Sequence, residues 1–198
     1  FRESNQLELF AEACLDEVVQ AKRRTGASAI KVLCAGCSTG EEAYTLAIII
    51  REMLDDFSRW NVLIKAIDID ENVLAKARRG LYDKRSVKDV PPAYLKRYFN
   101  QSEPGEYMIK PEAKELVLFE HINLMDRKAL RSEEGYDFVF CRNVLIYFDE
   151  VSRKQVVDKF YGLLNPGGFI FLGHSESLSR ISSAFKIRRI NDHLVYQR

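Results

Sequence analysis

The chain lacks the features that mark several large classes of protein. It has no run of about 18 apolar residues, so we expect no helix that inserts into a membrane, and its N-terminus has no secretory apolar core. Its 30 basic and 29 acidic residues leave a net charge of +1. That balance provides no general attraction to nucleic acid or to anionic lipid. We therefore expect no nucleic-acid partner and no direct membrane insertion.

Cysteine and histidine are scarce, with four and three residues in a chain of 198. Few cysteines are typical of a reducing compartment, which predicts a cytoplasmic protein. Cys34 and Cys37 have the C-x-x-C spacing, but the scattered histidines supply no further metal ligands, so we expect no metal site. A redox role stays open beside a simpler interpretation, in which both are small residues where a strand meets a tight loop.

Short apolar runs alternate with amphipathic stretches along the chain. A first helix carries Leu7, Phe10, Cys14 and Val18 on one face. Buried strands are predicted at residues 30–34, 62–67, 116–122, 137–141 and 169–172, and further helices at residues 41–51, 71–79 and 151–164. This alternation is typical of a doubly wound α/β fold with a mostly parallel sheet. Residues 185–190 and 193–196 predict a C-terminal hairpin that adds an antiparallel strand.

Residues 81–115 interrupt this alternation. The segment is charged, contains four of the five prolines and has no long buried strand. We interpret it as a small subdomain that is inserted into a single domain spanning residues 1–198.

The best candidate site is the loop that follows the first strand, residues 32–42, with the sequence VLCAGCSTGEE. In doubly wound sheets, ligands bind at the carboxyl ends of the strands, near the point where the strand order reverses. Gly36 and Gly40 would let the backbone approach a ligand closely, so we count Gly36 as a cofactor-binding candidate.

This loop differs from the dinucleotide fingerprint G-x-G-x-x-G. A dinucleotide places its pyrophosphate at the helix N-terminus, where Glu41 and Glu42 would repel it, which disfavours an NAD-dependent dehydrogenase. The two carboxylates could instead attract the cationic ammonium and sulfonium groups of S-adenosylmethionine. Alternatively, they only stabilise the helix dipole, with Ser38 or Thr39 as the N-cap of a capping box.

Asp68 ends the second predicted strand, where a carboxylate can accept hydrogen bonds from ribose hydroxyls. Asp70 competes for this role, but we expect it to cap the helix that follows.

Two further strands deliver candidate site residues to the same edge, and all of these except Leu124 are polar. Arg142 and Asn143 follow the strand at residues 137–141, and Asn123 and Leu124 follow the one at residues 116–122. Asn123 and Leu124 could hold the edge and the face of an adenine.

Several strings occur together and cover nearly the whole chain: AGCSTGEE at residues 35–42, DID at 68–70, INL at 122–124, FCRNVLIYFD at 140–149 and GHSES at 173–177. In content and order they resemble the CheR-type chemotaxis receptor methyltransferases, and CRNVLIYF and GHSE are the most specific of them. FRE at residues 1–3 resembles the end of the motif that links the two domains of that family. The resemblance implies a catalytic domain without the small N-terminal helical domain of the family.

The resemblance also implies a fold and a function. We expect the fold of S-adenosylmethionine-dependent methyltransferases, with methyl transfer from that cofactor to glutamate carboxylates in the cytoplasmic helical region of methyl-accepting chemoreceptors, in chemotaxis adaptation. The enzyme would be a monomer that leaves S-adenosylhomocysteine as product. Cofactor contacts are implied at Arg2, Glu41, Asp68, Asn123, Leu124, Arg142 and Asn143.

A glutamate is ionised at neutral pH because its pKa is about 4.3, so this transfer needs no general base. We expect Arg142 or Tyr147 to orient the substrate as the catalytic residues, although Tyr147 is also a plausible core aromatic. Three alternatives remain: a methyltransferase that acts on a small molecule, one that acts on RNA, and a cofactor-binding regulatory or scaffold domain that transfers no methyl group.

Overall fold

The computed structural model describes residues 4–126, 128–130, 133–174, 176–178, 181–190 and 193–198. The strands are β1 (Ala29–Ala35), β2 (Asn61–Asp68), β3 (Leu81–Asp83), β4 (Phe99–Glu103), β5 (Glu106–Ile109), β6 (Val117–His121), β7 (Tyr136–Cys141), β8 (Leu164–Leu172), β9 (Lys186–Ile190) and β10 (His193–Gln197). The helices are α1 (Ser4–Leu9), α2 (Leu15–Thr25), α3 (Glu41–Met53), α4 (Glu71–Arg79), α5 (Pro92–Tyr98), α6 (Pro111–Lys114) and α7 (Glu150–Leu163).

The larger sheet of the described residues has the order β6-β2-β1-β7-β8-β10-β9. The five strands from β6 to β8 pair in parallel, and β10 is antiparallel to both of its neighbours. From β1 the chain moves outward through β2 to β6 and then returns to β7 on the other side of β1, so the strand order reverses between β1 and β7. This topology confirms the predicted doubly wound α/β fold with a C-terminal hairpin.

The central strands are covered on both faces. Val32 and Cys34 of β1 belong to a cluster that includes the N-terminal helices and α3, whereas Leu33 belongs to a second cluster with α7. Successive side chains of a strand point to opposite faces, so a strand between two helical layers is apolar at every position. The continuous apolar runs that predicted these strands therefore follow from this layering.

The predicted first helix is present, but a π-helical turn, Phe10–Cys14, joins α1 to α2. Phe10 is fully buried, and its ring meets the rings of Phe138 and Phe140 edge-on, with centroids 5.0 and 5.2 Å apart. Such pairs contribute about 0.5–1.5 kcal/mol each beyond their buried area. The helix thus covers the middle of the sheet beneath the ends of β1 and β7.

A smaller antiparallel sheet, in the order β3-β5-β4, lies within residues 81–115. Its central strand joins the end of α4, because Ile109 N donates to Gly80 O at 2.9 Å. A Cβ on Gly80 would lie 2.4 Å from Ile109 Cγ2, so the glycine lets the small sheet pack closely against the larger domain.

One strand boundary differs from the prediction. The sequence predicted a strand from Phe169, but β8 begins at Leu164, directly after α7. Leu164 pairs with Tyr136, and the ladder is irregular before Phe138 pairs with Phe169. Residues 165–168, with the turn-like sequence NPGG, therefore lie in an irregular part of β8 and not in a separate loop.

Among the described residues, no helix combines the length and the apolar character that a membrane span requires.

Candidate functional site

A cavity of about 1230 Å³ opens at the carboxyl ends of the parallel strands. It is larger than the roughly 300–1,000 Å³ usual for pockets that bind small molecules. Eight residues that the sequence singled out line it: Gly36, Glu41, Asp68, Asn123, Leu124, Arg142, Asn143 and Tyr147. Arg2, the remaining candidate, lies outside the described residues. The structure therefore brings the described candidates together at the reversal point of the sheet.

Gly36 forms the sharp turn after β1. Its backbone has φ +74°, and the N–H groups of Gly36 and Cys37 both donate to Ile67 O, at 2.8 and 3.0 Å. A Cβ on Gly36 would lie 2.3 Å from Val144 Cγ2. Glycine is therefore required both by the left-handed backbone and by the close approach of the loop after β7.

The start of α3 corrects the capping-box prediction. Its N-cap is Gly40, with φ +89° and no hydrogen bond from a side chain, so neither Ser38 nor Thr39 caps the helix. Thr39 Oγ1 instead donates to Glu41 Oε2 at 2.6 Å. Glycine is the N-cap because α4 packs closely against this position: a Cβ on Gly40 would lie 2.9 Å from Ala77 Cβ.

The two glutamates of this loop have different surroundings. Glu42 accepts hydrogen bonds from Cys34 Sγ at 3.0 Å and from Arg142 NH1 at 2.8 Å, and the Arg142 side chain is only 8% exposed. Glu41 accepts from the hydroxyls of Thr39 and Ser86, at 2.6 and 3.4 Å. The charge of Glu42 is therefore balanced by an arginine, whereas no described basic side chain forms an ion pair with Glu41.

The cysteines beside this loop are buried free thiols. Burial raises the pKa of Cys37 to about 12, and burial together with the nearby Glu42 raises the pKa of Cys34 well above its ordinary value. A reactive thiol needs an exposed thiolate, which neither residue provides. The structure thus favours two small buried residues over a redox pair, and the described His, Cys, Asp and Glu side chains form no metal-binding cluster.

Asp68 and Asp70 have different surroundings, and Asp70 caps the following helix as predicted. Asp70 Oδ1 accepts from Asn72 N at 2.7 Å and is the N-cap of α4. Asp68 lines the cavity, and its two oxygens accept from Ser38 N at 2.8 Å and from Asp70 N at 3.0 Å. A carboxylate has about four acceptor positions, so Asp68 can still accept hydroxyl hydrogen bonds.

Asn123 and Leu124 form the wall at the end of β6. Asn123 Oδ1 accepts from Met125 N at 2.9 Å, which holds a tight turn. Leu124 is 8% exposed and packs into the cluster beneath α7 while it lines the cavity. This wall offers an apolar face beside a polar edge.

The loop after β7 is held by a residue whose role the sequence did not predict. Glu176 Oε2 accepts from Asn143 N at 2.9 Å and from Gly173 N at 2.8 Å, and Glu176 Oε1 accepts from Ile146 N at 3.3 Å. The string GHSE was the only signal for Glu176. In the same loop, Tyr147 is 81% exposed at the cavity rim, so it is not a core aromatic.

The small sheet contributes to the cavity wall in a way that the sequence did not predict. Tyr82 Oη donates to Thr39 O at 2.8 Å, and Ser86 Oγ lies 3.4 Å from Glu41 Oε1. Exposed Arg85 and Lys88 also line the cavity. The inserted segment therefore contacts the glycine loop directly.

Comparisons with known proteins agree with this geometry. Residues 1–193 match the family described as "CheR methyltransferase, SAM binding domain". Chemotaxis protein methyltransferase 2 of Vibrio cholerae is 40% identical over 196 residues, which are 99% of this chain and 67% of that protein. The chemotaxis protein methyltransferase of Escherichia coli is 36% identical over 192 residues, which are 95% of this chain and 63% of that protein. This chain thus spans about two thirds of the length of these relatives, and it belongs to the CheR methyltransferase family as the S-adenosylmethionine-binding domain.

Proposed function

We propose that the protein to which this domain belongs transfers a methyl group from S-adenosylmethionine to glutamate side-chain carboxylates of chemoreceptors. The observation that carries the proposal is the cavity itself, which gathers at the reversal point of the sheet the acidic, polar and apolar residues for which the resemblance implied cofactor contacts. It is a protein-glutamate O-methyltransferase of the cytoplasm, and it acts as a monomer on the helical region of the receptor, with no nucleic-acid partner.

The residues of the cavity fit this cofactor. Glu41 has no ion-pair partner among the described residues and would attract the ammonium group, while Asp68 would accept the ribose hydroxyls. Asn123 and Leu124 would hold the adenine. Gly36 lines the cavity, and its missing Cβ lets Val144 of the loop after β7 pack against the turn. The volume of about 1230 Å³ leaves space for a substrate side chain as well.

We assign different roles to the two catalytic candidates. Arg142 is nearly buried and bonded to Glu42, so it shapes the cofactor side of the cavity together with Asn143. Tyr147 is exposed at the rim and can reach an incoming carboxylate, so it orients the substrate.

The cofactor supplies an electrophilic methyl group carried on a sulfonium. The substrate glutamate is already ionised, so the protein has to align it and remove its water, and no residue needs to take a proton. The attacking carboxylate and the sulfonium lose charge as they react, so an unbalanced fixed charge beside them would oppose the reaction. The pairing of Arg142 with Glu42 removes one such charge.

We further propose that residues 1–198 are one domain in which about residues 81–115 are an inserted subdomain. The small antiparallel sheet within that segment and its contacts with Thr39 and Glu41 support this division.

Two measurements test the function. Calorimetry of this domain with S-adenosylhomocysteine should show one site per chain that a chelator leaves unchanged. The full-length parent should transfer labelled methyl groups from S-adenosylmethionine to a chemoreceptor, and Tyr147→Phe in that parent should lower the turnover more than the affinity for the cofactor. Absence of cofactor binding would contradict the cavity assignment. Binding without transfer to any receptor in a panel would favour a regulatory or scaffold domain.

A further inference from the structure

We propose that Glu176 is a positioning residue for the cavity, because its single carboxylate fixes the backbone of residues 142–147 against the end of β8. This inference rests on the proposed function, since those loop residues are the ones assigned there to the cofactor and the substrate.

The contacts of the carboxylate join two elements that are distant in sequence. Glu176 accepts from the backbone N–H groups of Asn143 at 2.9 Å, Gly173 at 2.8 Å and Ile146 at 3.3 Å. Gly173 follows β8, whereas Asn143 and Ile146 follow β7. The two strands pair in parallel up to Cys141 and Leu172, so their ends lie side by side. One side chain therefore ties both strand ends together.

The surroundings leave little freedom for this arrangement. Asn143 has φ +59°, a left-handed conformation that asparagine adopts more readily than most residues other than glycine, and in this conformation its N–H donates to Glu176. A Cβ on Gly173 would lie 2.9 Å from both Asn143 N and Glu176 Oε2. Glycine at this position therefore makes room for the carboxylate between the two backbones.

Glu176 acts through the loop and not by touching a ligand. It lies outside the cavity lining, whereas Arg142, Asn143 and Tyr147 all belong to it. The loop is held at its start by the ion pair of Arg142 with Glu42, and the carboxylate of Glu176 holds the residues that follow. Without that carboxylate, the backbone N–H groups of the loop would lose their shared acceptor and the cavity wall would lose its shape.

Two variants of Glu176 should differ in a defined order. Glu176→Gln keeps one acceptor oxygen but turns an amide NH₂ toward a backbone N–H, so it retains part of the arrangement. Glu176→Ala removes every contact. We expect the dissociation constant for S-adenosylhomocysteine to rise by about tenfold or more in Glu176→Ala, with Glu176→Gln between it and the wild type.

Asp149→Ala is the matched control. The Asp149 carboxylate also accepts a backbone N–H, that of Ser152 at 2.7 Å, and it caps α7 just beyond the same loop, but it does not line the cavity. This variant should lower the free energy of unfolding and leave cofactor affinity within about twofold of the wild type. It separates a general loss of stability from a loss of positioning.

Hydrogen exchange measured by mass spectrometry on the peptide that contains residues 142–148 provides a readout without cofactor. Exchange in this peptide should be faster in both Glu176 variants and unchanged in Asp149→Ala, while thermal denaturation confirms that the variants are folded. Unchanged exchange in folded Glu176→Ala, or in folded Glu176→Gln if the alanine variant does not fold, would overturn the positioning role. A wild type that binds no S-adenosylhomocysteine would instead overturn the proposed function, which keeps the two failures distinct.

Discussion

Gly36 and Gly26 share a left-handed backbone with φ +74°, but their surroundings differ. Nothing lies within 4 Å of a Cβ added to Gly26, whereas a Cβ on Gly36 would lie 2.3 Å from Val144 Cγ2. Gly26→Ala should therefore cost only the backbone term of about 1–2 kcal/mol in the free energy of unfolding.

Gly36→Ala should cost more than Gly26→Ala and should also weaken the binding of S-adenosylhomocysteine. Val144→Ala in the same chain should restore part of the loss, because it removes the clash but not the backbone strain. Urea denaturation and calorimetry measure both effects. Equal costs at the two glycines would contradict the close approach of the loop after β7.

Asp68, the last residue of β2, and Asp70 allow a second prediction at this scale. Asp68→Ala removes an acceptor from the cavity and a partner of Ser38 N, so cofactor binding should weaken by about 1.5–3 kcal/mol for each charged hydrogen bond lost. Asp70→Ala removes a helix cap and should cost about 1 kcal/mol in the free energy of unfolding.

Calorimetry and chemical denaturation of both aspartate variants separate affinity from stability. If Asp70→Ala weakened the cofactor while Asp68→Ala affected only stability, the two roles would be reversed.

At the scale of elements, the sequence predicted the parallel strands well because β1, β2 and β7 are nearly continuous apolar runs bounded by polar residues. It failed where tertiary packing decides the local structure. The N-cap of α3 is a glycine because α4 lies too close for a side chain, and β8 starts early because Leu164 pairs with Tyr136. Neither contact has a local signal in the sequence.

The connection between the small sheet and the glycine loop gives a third prediction. Tyr82 Oη donates to Thr39 O at 2.8 Å, and the Tyr82 side chain is buried. Tyr82→Phe leaves that carbonyl without its partner, so the free energy of unfolding should fall by about 1–3 kcal/mol and cofactor affinity should fall with it.

Tyr107→Phe, in the central strand of the same sheet, is the matched control, because its hydroxyl has no hydrogen-bond partner among the described residues. Denaturation and calorimetry should show little change for this control. If Tyr82→Phe behaved in the same way, the inserted segment would not support the site.

At the scale of the whole molecule, the cavity could be predicted because parallel strands bring their carboxyl ends to one edge. Asp68 ends β2, Asn123 comes after β6 and Arg142 after β7, and the three residues still meet in one site. Glu176 could not be placed in the same way, because its role depends on side-chain hydrogen bonds to the backbone of another element. Strand order therefore predicts which residues gather at the edge of the sheet. The contacts that fix their orientation depend on tertiary packing, which the strand order does not specify.

The buried thiols should make the free energy of unfolding of the whole domain fall as the pH becomes alkaline. Burial raises the pKa of Cys14 from 9.0 to about 12, and it raises the pKa of Cys37 to about 12 as well. An unfolded thiol ionises near pH 9, so above that value the unfolded state releases protons that the folded state retains. The stabilisation is complete below about pH 9 and is lost as the pH rises toward 12, at about 1.4 kcal/mol per pH unit for each thiol.

Cys14→Ala tests this dependence because Cys14 is fully buried in the N-terminal helices and lies outside the cavity lining. The free energy of unfolding, measured with urea at several pH values above 9.0, should fall less steeply in this variant than in the wild type, by about 1.4 kcal/mol per pH unit. Val18→Ala removes buried apolar atoms from α2 but no titrating group, so its slope should match that of the wild type. Parallel slopes for all three proteins would show that the thiol titrates normally in the folded state.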